Sequence, residues 1–299
     1  MSGTFLAARS VDEAVEAMAT GARPVAGGTD LVVGARSGKA ALPESLVAIH
    51  DLDDLCGIAD LGDGIRLGAL ATHAEVAAHA AVRERYPALA DACAIVGSEA
   101  TRAQGTLGGN VMNASPAMES GGPLVCFDAM VTLRSAAGSR RVRVADLLVG
   151  PGQTSSRPDE LLTAVELPEP PAASGSSYVR LEYRRQMEIA VVGATCVVAL
   201  DGERITEARI AITALAPTIR RVPDAESALA GSDGGRAVVE TAARAAAEAS
   251  QPISDLRASA GYRVAMAAVI ARRAIEAAVA RARGELVEIP ASQALFGAV

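Results

Sequence analysis

Two glycine-rich segments carry the residue types in this chain that are best suited to bind a ligand. The first, AGGTDL at residues 26–31, lies between apolar residues, and the second, GTLGGNVMNASP, occupies residues 105–116. Paired glycines at the end of a strand let backbone N–H groups approach a ligand closely, and an adjoining helix N-terminus favours an anion. The two segments therefore indicate either a joint anion-binding site, such as one for a diphosphate, or two ordinary turns.

Two common nucleotide-binding motifs do not fit these segments. A Walker-type P-loop needs a hydroxyl residue after Gly-Lys, but Ala40 follows Lys39, and no glycine lies five residues before Gly38. Neither segment has the GxGxxG spacing of a Rossmann fingerprint. A diphosphate site formed by two separate loops remains, with small polar side chains as additional hydrogen-bonding groups. The candidates for that role are Thr29, Thr106, Asn110, Asn113 and Ser115.

The composition limits the classes of protein to consider. The 299 residues carry a net charge of −7, which disfavours nucleic acid or an anionic membrane as a partner. We expect no membrane insertion and no secretory signal, because no stretch reaches ~18 consecutive apolar residues and the first residues lack a basic segment before an apolar one. The cysteines lie far apart without a CxxC motif, which favours reduced thiols in the cytoplasm and no metal site. They are Cys56, Cys93, Cys126 and Cys196.

The first half of the chain mixes helical and strand patterns. Apolar spacing predicts a helix over residues 9–21, and RPVAGG at 23–28 is typical of a short buried strand. The following TDLVVGARSG segment is predicted to be a helix capped by Thr29 or Asp30. Further predictions are strands at 45–52 and 64–71, a helix over 72–97 broken near Pro87, and a hairpin that turns at Ala137–Gly138.

The second half begins with a Pro- and Ser-rich stretch, LPEPPAASGSS at residues 167–177, which is predicted to be a linker. Three strands are predicted after it, at SYVRLEYRR, VVGATCVVAL and ITEARIAITAL, with an Asp201–Gly202 turn before the last one. Two helices, over about 235–250 and 255–284, follow these strands. This pattern favours a mixed α+β fold over a doubly wound parallel sheet.

Four segments occur in the same order as in one known family. They are AGGTDL at 26–31, RAQGTLGGNVMNASPA at 102–117, DELLTAVELP at 159–168 and PISDLRASAGYR at 252–263. Through these segments the chain resembles the FAD-binding (medium) subunits of the molybdenum hydroxylases, the family of xanthine dehydrogenase and carbon monoxide dehydrogenase. The resemblance spans roughly residues 4–285 and is far more specific than any single motif.

The resemblance implies an α+β fold of the vanillyl-alcohol-oxidase-like (PCMH) type, with a C-terminal α+β domain of a three-stranded antiparallel sheet plus helices. It implies an N-terminal FAD-binding subdomain at 1–56, a central one at 57–170, a C-terminal flavoprotein domain at 176–285 and a tail at 286–299. The predicted linker falls where the FAD-binding region gives way to the C-terminal domain.

The resemblance also implies a set of FAD-binding residues. Two groups would hold the diphosphate: the first is Ala26, Gly27, Gly28, Thr29, Asp30 and Leu31, and the second is Thr106, Gly108, Gly109 and Asn110, with Ser115 beside it. The family usually has Asp where this chain has Glu119, at a position that reaches the ribityl or ribose hydroxyls. In the segment that borders the flavin ring, the family pattern of two basic residues and an Asp corresponds to Arg180, Arg184 and Glu188.

The resemblance implies partners as well. The chain would be an electron-transfer subunit that is active only in a complex with an iron–sulfur small subunit and a molybdopterin large subunit. By the family's pattern, this complex would be a dimer of heterotrimers. The [2Fe–2S] clusters and the molybdopterin would belong to those partners, and electrons would leave FAD for NAD⁺, a quinone or oxygen.

Two alternatives remain open at the level of sequence. One is a self-sufficient FAD-dependent reductase on the same fold, and the other is a non-catalytic nucleotide-binding scaffold. A flavin cofactor carries its own redox chemistry, so a catalytic acid–base pair is not required. No catalytic residue is assigned, and His50, His73 and His79 are interpreted as surface or capping residues. Cys126, within an apolar run, is interpreted as a buried small side chain.

Overall fold

The computed structural model describes residues 3–38 and 40–295. The N-terminal part is a small parallel sheet with strand order β1–β3–β2 and two helices. Its elements are β1 (Thr4–Ala7), α1 (Val11–Ala19), β2 (Arg23–Val25), α2 (Thr29–Arg36) and β3 (Ser45–Ala48). A 3-10 helix at Asp53–Leu55 connects this part to the next one.

Both helices predicted for this part are present, but they begin and end at residues other than the predicted ones. Helix α1 begins after Ser10, whose hydroxyl accepts a hydrogen bond from the Glu13 N–H at 3.1 Å, and it buries Ala14, Val15 and Met18. The predicted cap of α2 is wrong. Gly28 occupies the cap position in the left-handed conformation, with φ of 68°, and no side chain caps this helix end.

The central part is an antiparallel sheet with strand order β4–β5–β10–β6–β7, packed against a group of short helices. Its elements are β4 (Ile58–Asp60), β5 (Gly64–Gly68), α3 (His73–Ala78), α4 (Ala80–Arg85), α5 (Pro87–Cys93), α6 (Glu99–Gln104), α7 (Leu107–Asn113), α8 (Gly121–Cys126), β6 (Met130–Ser135), β7 (Gly138–Arg143), α9 (Val144–Leu147), β8 (Leu148–Gly150), β9 (Gln153–Thr154) and β10 (Leu161–Pro168). The hairpin predicted at Ala137–Gly138 is the β6–β7 connection.

The helix predicted over 72–97 is divided into three. Thr72 and Glu75 form a capping box at the start of α3, and His79 ends α3 in an extended conformation before α4 begins. Pro87 starts α5 in the first helical position, where its missing N–H costs little. The sequence signal at Pro87 therefore marks the start of a helix, and the break at His79 has no comparable signal.

The C-terminal part is an antiparallel sheet covered by helices on one face. Its elements are β11 (Ser174–Leu181), β12 (Val192–Asp201), β13 (Arg204–Thr213), β14 (Arg220–Arg221), α10 (Pro223–Leu229), α11 (Arg236–Glu248), α12 (Ala260–Ala282) and α13 (Ala291–Leu295). The three predicted strands form this sheet, and the two-residue β14 adds a fourth at its edge. The predicted linker is shorter than expected, because Ser174–Leu181 already pairs with β12 and only residues 169–173 connect the sheets.

The β11–β13 sheet separates two hydrophobic cores. Val179, Cys196 and Ile210 face the core formed with the C-terminal helices. Their neighbours Tyr178 and Ala211 belong to the core of the central part. Alternate residues of a strand point to opposite faces, so this sheet is buried on both sides. Cys126 is buried in the central core, as the sequence predicted. Within the described residues, we find no helix that is long and apolar enough to cross a membrane.

Candidate FAD site

The two glycine-rich segments, far apart in sequence, lie in direct contact. A Cβ atom on Gly27 would overlap the carbonyl oxygen of Gln104 and would lie 3.2 Å from the Cα atom of Gly105. A Cβ atom on Gly105 would lie 3.3 Å from Oγ1 of Thr29. Both glycines are needed for this approach because any side chain would push the segments apart. The structure therefore places the two predicted binding segments side by side.

The first segment presents the N-terminus of α2. Ala26 and Gly27 follow β2, the left-handed Gly28 turns the chain, and Thr29, Asp30 and Leu31 form the first helical turn. The first N–H groups of a helix have no carbonyl partner in a preceding turn, and here no side chain caps them. Such N–H groups, together with the helix dipole, fit an anionic diphosphate. The Asp30 side chain is exposed, and Asp30 contributes its backbone to the first turn of α2.

The second segment is the start of a helix rather than an open loop. Thr106 caps α7, and its hydroxyl oxygen accepts a hydrogen bond from the Gly109 N–H at 3.1 Å. Gly108 packs on Ala69: its N–H donates to the Ala69 carbonyl at 2.9 Å, and a Cβ on Gly108 would lie 2.6 Å from that oxygen. Gly109 is exposed at this turn. The Thr106 hydroxyl therefore fixes the turn, and Gly109 leaves its outer surface open to a ligand.

Of two further predicted residues, Asn110 lies within α7 and Ser115 lies just beyond it. The Oδ1 atom of Asn110 accepts a hydrogen bond from the Ser120 hydroxyl at 2.7 Å, so the Asn110 NH2 group does not bind Ser120. The Oγ atom of Ser115 accepts from the Ala117 N–H at 3.2 Å and thereby shapes the turn after α7. Ser120 is buried and lies next to Glu119, so this turn leads from the glycine segments to the buried charges.

A cluster of charged side chains surrounds Arg180, beyond the turn that ends at Ser120. The Arg180 guanidinium is fully buried, and its Nη1 donates to Oε1 of Glu119 at 2.6 Å and to the Glu188 carbonyl at 3.3 Å. Glu182 accepts from Nε of Arg180 at 2.6 Å. The Glu188 carboxylate pairs with Arg184 at 3.2 Å. The structure therefore brings Glu119, Arg180 and Glu188 together, as the site prediction requires.

Burial and charge act in opposite directions on Glu119. Burial raises the pKa of the Glu119 carboxyl above its ordinary value, and the positive charge of Arg180 opposes that increase. A buried carboxylate of this kind is stable only while its partner stays in place. The pair is therefore a fixed feature of the site rather than two mobile surface charges.

His73 and Glu182 were missed in the sequence interpretation. His73 is not a surface residue: it is 2% exposed, and its Cδ2 would lie 3.5 Å from a Cβ on Gly105, beside the contact of the two glycine segments. Burial lowers the pKa of His73 to about 4, and the charge of Arg102 adds to the shift. Nδ1 of His73 has no hydrogen-bond partner among the described residues. Glu182 lies within the segment of Arg180, Arg184 and Glu188 but matches no position of the family pattern, and His73 belongs to no binding motif, so the fold alone reveals both residues.

The residues present fit an extended dinucleotide. The glycine segments offer open backbone around a helix N-terminus, which suits the diphosphate. Carboxylate oxygens near Glu119 suit ribityl hydroxyls, because an ionised carboxylate accepts hydrogen bonds from hydroxyl groups. The fold and this arrangement together define an FAD-binding subunit of the type found in molybdopterin-dependent dehydrogenases.

Comparisons with known proteins give the same family. Residues 1–170 match the family model described as the FAD binding domain in molybdopterin dehydrogenase, and residues 177–278 match the CO dehydrogenase flavoprotein C-terminal domain. The chain belongs to this family of FAD-binding subunits of molybdenum hydroxylases and is an oxidoreductase subunit.

Individual relatives cover nearly the whole chain. The carbon monoxide dehydrogenase medium chain of Afipia carboxidovorans is 32% identical over 262 residues, covering 88% of this chain and 90% of the relative. The putative xanthine dehydrogenase FAD-binding subunit of Escherichia coli K12 is 29% identical, covering 89% and 91%. A solved carbon monoxide dehydrogenase from Hydrogenophaga pseudoflava superposes with a TM-score of 0.90 at 30% identity, covering 94% of this chain and 98% of the solved one.

Proposed function

We propose that this chain carries electrons from an iron–sulfur subunit through FAD to an external acceptor. The observation that supports this most directly is the contact between Gly27 and the Gln104–Gly105 backbone, which joins the two glycine segments at the N-terminus of α2. A ligand held there by backbone N–H groups needs little formal positive charge on the protein, in keeping with a net charge of −7.

Each part of the site has a separate role in this proposal. The backbone of Ala26–Leu31 and the turn at Thr106–Asn110 would hold the diphosphate of FAD, with Ser115 supporting the second turn. Glu119 would accept hydrogen bonds from ribityl hydroxyls, and Arg180 would keep its carboxylate ionised. Arg184 and Glu188 would border the flavin ring. When bound, FAD supplies the redox chemistry, and the chain supplies binding, orientation and the electric field around the ring.

The proposed partners are an iron–sulfur small subunit and a molybdopterin large subunit, assembled as a dimer of heterotrimers. Relatives named as medium chains, medium subunits or subunits of a dehydrogenase complex support a multi-subunit complex, and the dimer of heterotrimers is our proposal. The acceptor would be NAD⁺, a quinone or oxygen. We place the complex in the cytoplasm, where thiols stay reduced, because all four cysteines are free and three of them are buried.

Expression of the chain with and without its partner subunits tests the proposal. The absorption spectrum should show bound flavin, and only preparations that contain an iron–sulfur chain should pass electrons from an organic substrate to the acceptor. Turnover of an organic substrate by the purified single chain would favour a self-sufficient reductase. A chain that binds no flavin even in the complex would favour a scaffold.

A further inference from the structure

Arg180 is held by two carboxylates, one of which belongs to Glu182, a residue outside the proposed FAD-binding set. Its Nη1 reaches Glu119 at 2.6 Å, while Nε donates to Oε2 of Glu182 at 2.6 Å and Nη2 contacts the same carboxylate. The Arg180 side chain is 0% exposed, and the side chains of Glu119 and Glu182 are 9% and 12% exposed. Glu182 therefore binds the Nε and Nη2 side of the guanidinium, and Glu119 binds Nη1.

The strand fixes this geometry. Arg180 lies near the end of β11, and Glu182 follows two positions later, so both side chains leave the backbone on the same side. Opposite Arg180 in the register is Gly193 of β12, where a Cβ atom would lie 2.7 Å from the Tyr178 hydroxyl oxygen. The absence of a side chain at Gly193 leaves room for the Tyr178 ring and for Thr213. The Arg180 N–H also donates to the Ser292 hydroxyl at 2.9 Å, which anchors the strand.

The cluster has more negative than positive charge. With Glu119 and Glu182 ionised, the single positive charge of Arg180 leaves one negative charge in excess. Two neighbouring pairs do not cancel it: Arg184 pairs with Glu188, and Arg102, whose charge acts on Arg180, is opposed by Glu99. Charges that are buried act over a longer range than exposed ones because less water screens them. This end of the site therefore presents a net negative field.

We propose that Glu182 is a positioning residue for FAD: it holds the Arg180 guanidinium on Glu119 and compensates its positive charge, thereby lowering the reduction potential of the bound flavin. This inference depends on the proposed function, in which Arg180 holds the Glu119 carboxylate beside the ribityl chain and Arg184 and Glu188 border the flavin ring. Reduction adds electrons to the ring, and a fixed negative charge beside it opposes that addition. Without Glu182, the guanidinium charge would be compensated by Glu119 alone, and the local field would become more positive.

The test is a redox titration of the flavin absorbance in the FAD-loaded complex. Glu182→Gln keeps the shape and one acceptor for Nε while it removes one negative charge, so the flavin potential should shift to a more positive value with FAD content unchanged. Glu203→Gln is the matched control, because Glu203 is 87% exposed and pairs with Arg283 at the β12–β13 turn, at the opposite end of β12 from Gly193. The control should keep the wild-type potential.

Glu182→Asp separates charge from shape. It retains the negative charge on a shorter side chain, so its flavin potential should stay near the wild-type value even if its stability is lower. An unchanged potential in FAD-loaded Glu182→Gln, or an equal positive shift in Glu182→Asp, would overturn the inference. Should Glu182→Gln not fold, Glu182→Ala removes the same negative charge with a smaller side chain, and an unchanged potential in FAD-loaded Glu182→Ala would equally overturn the inference. A wild-type complex that contains no flavin would instead refute the proposed function.

Discussion

The carboxylate of Asp91 and the guanidinium of Arg281 form two hydrogen bonds in parallel, at 2.7 and 3.0 Å, across 190 residues of sequence. Asp91 is fully buried, and it also accepts from the N–H groups of Tyr178 and Ala291 at 3.1 and 2.9 Å. One carboxylate in α5 therefore binds to β11, α12 and α13. This junction joins the central part of the chain to the C-terminal part.

Loss of this junction should destabilise the whole chain. Asp91→Asn leaves the Arg281 charge buried without its anionic partner, so the free energy of unfolding should fall by about 3 kcal/mol. Asp146→Asn is the comparison, because the Arg143–Asp146 pair is exposed and should contribute little. Urea unfolding of the two variants measures the difference. Equal stability of both would show that the junction is not a major source of stability.

A side chain at Gly27 should separate the two glycine segments. Gly27→Ala places a methyl group against the Gln104 carbonyl oxygen, so FAD affinity should fall more than about tenfold, which corresponds to ~1.4 kcal/mol. Gly34→Ala, in the helix α2 that follows Gly27, is the control, since nothing lies within 4 Å of the Cβ position at Gly34. That variant should bind FAD normally and gain about 0.5–1 kcal/mol of helix stability. Flavin titration by fluorescence quenching compares them, and normal affinity in Gly27→Ala would contradict the proposed diphosphate site.

His73 should make the chain sensitive to mild acid. Its pKa is lowered from 6.5 to about 4 in the folded state, so below pH 6.5 the unfolded chain takes up a proton before the folded one does. Stability is therefore complete above pH 6.5 and decreases as the pH falls toward 4. Between pH 7 and pH 5 the contribution of His73 should decrease by about 2 kcal/mol.

A variant without the imidazole isolates this effect. His73→Asn does not titrate in this range, so its stability relative to the wild type should rise as the pH falls from 7 to 5. Urea unfolding at several pH values measures both proteins, and parallel pH profiles would show that His73 is not the responsible group. If a diphosphate binds beside His73, its negative charge favours the protonated imidazole, and FAD should reduce the difference.

Gly122 should be intolerant of any side chain. A methyl group there would overlap the Thr195 hydroxyl oxygen and lie 3.2 Å from that of Thr213, where α8 packs on the C-terminal sheet. Gly122→Ala should therefore cost about 1–3 kcal/mol through overpacking. Gly261→Ala, at an open position in α12, should be neutral or slightly stabilising. Thermal unfolding of the two variants measures the difference in stability. If Gly122→Ala were as stable as the wild type, the interface between α8 and the C-terminal sheet would be able to relax.

The elements with local signals were the ones predictable from the sequence. The predicted Asp201–Gly202 turn connects β12 and β13. The apolar patterns predicted α11 and α12, whose observed ends differ from the predicted ones by one to five residues. The contact between Gly27 and Gly105 was not predictable from spacing, because it depends on how two sheets are arranged. His73 was misjudged for the same reason: it is buried next to Gly105, a residue distant in sequence, and no local pattern indicates that contact. The FAD-binding residues and domain bounds stay predictions.

Because the β11–β13 sheet is buried on both faces, neighbouring residues of one strand pack in different halves of the molecule. Tyr178 faces the central core and Val179 faces the C-terminal helices, although their backbones are adjacent. Truncation of Tyr178 should therefore loosen the packing of the central core, and truncation of Val179 should loosen the packing of the C-terminal helices on the sheet. The chain between the two sheets is also short, because it consists of residues 169–173 alone. The two halves therefore have little freedom to separate, and they should unfold in a single cooperative step.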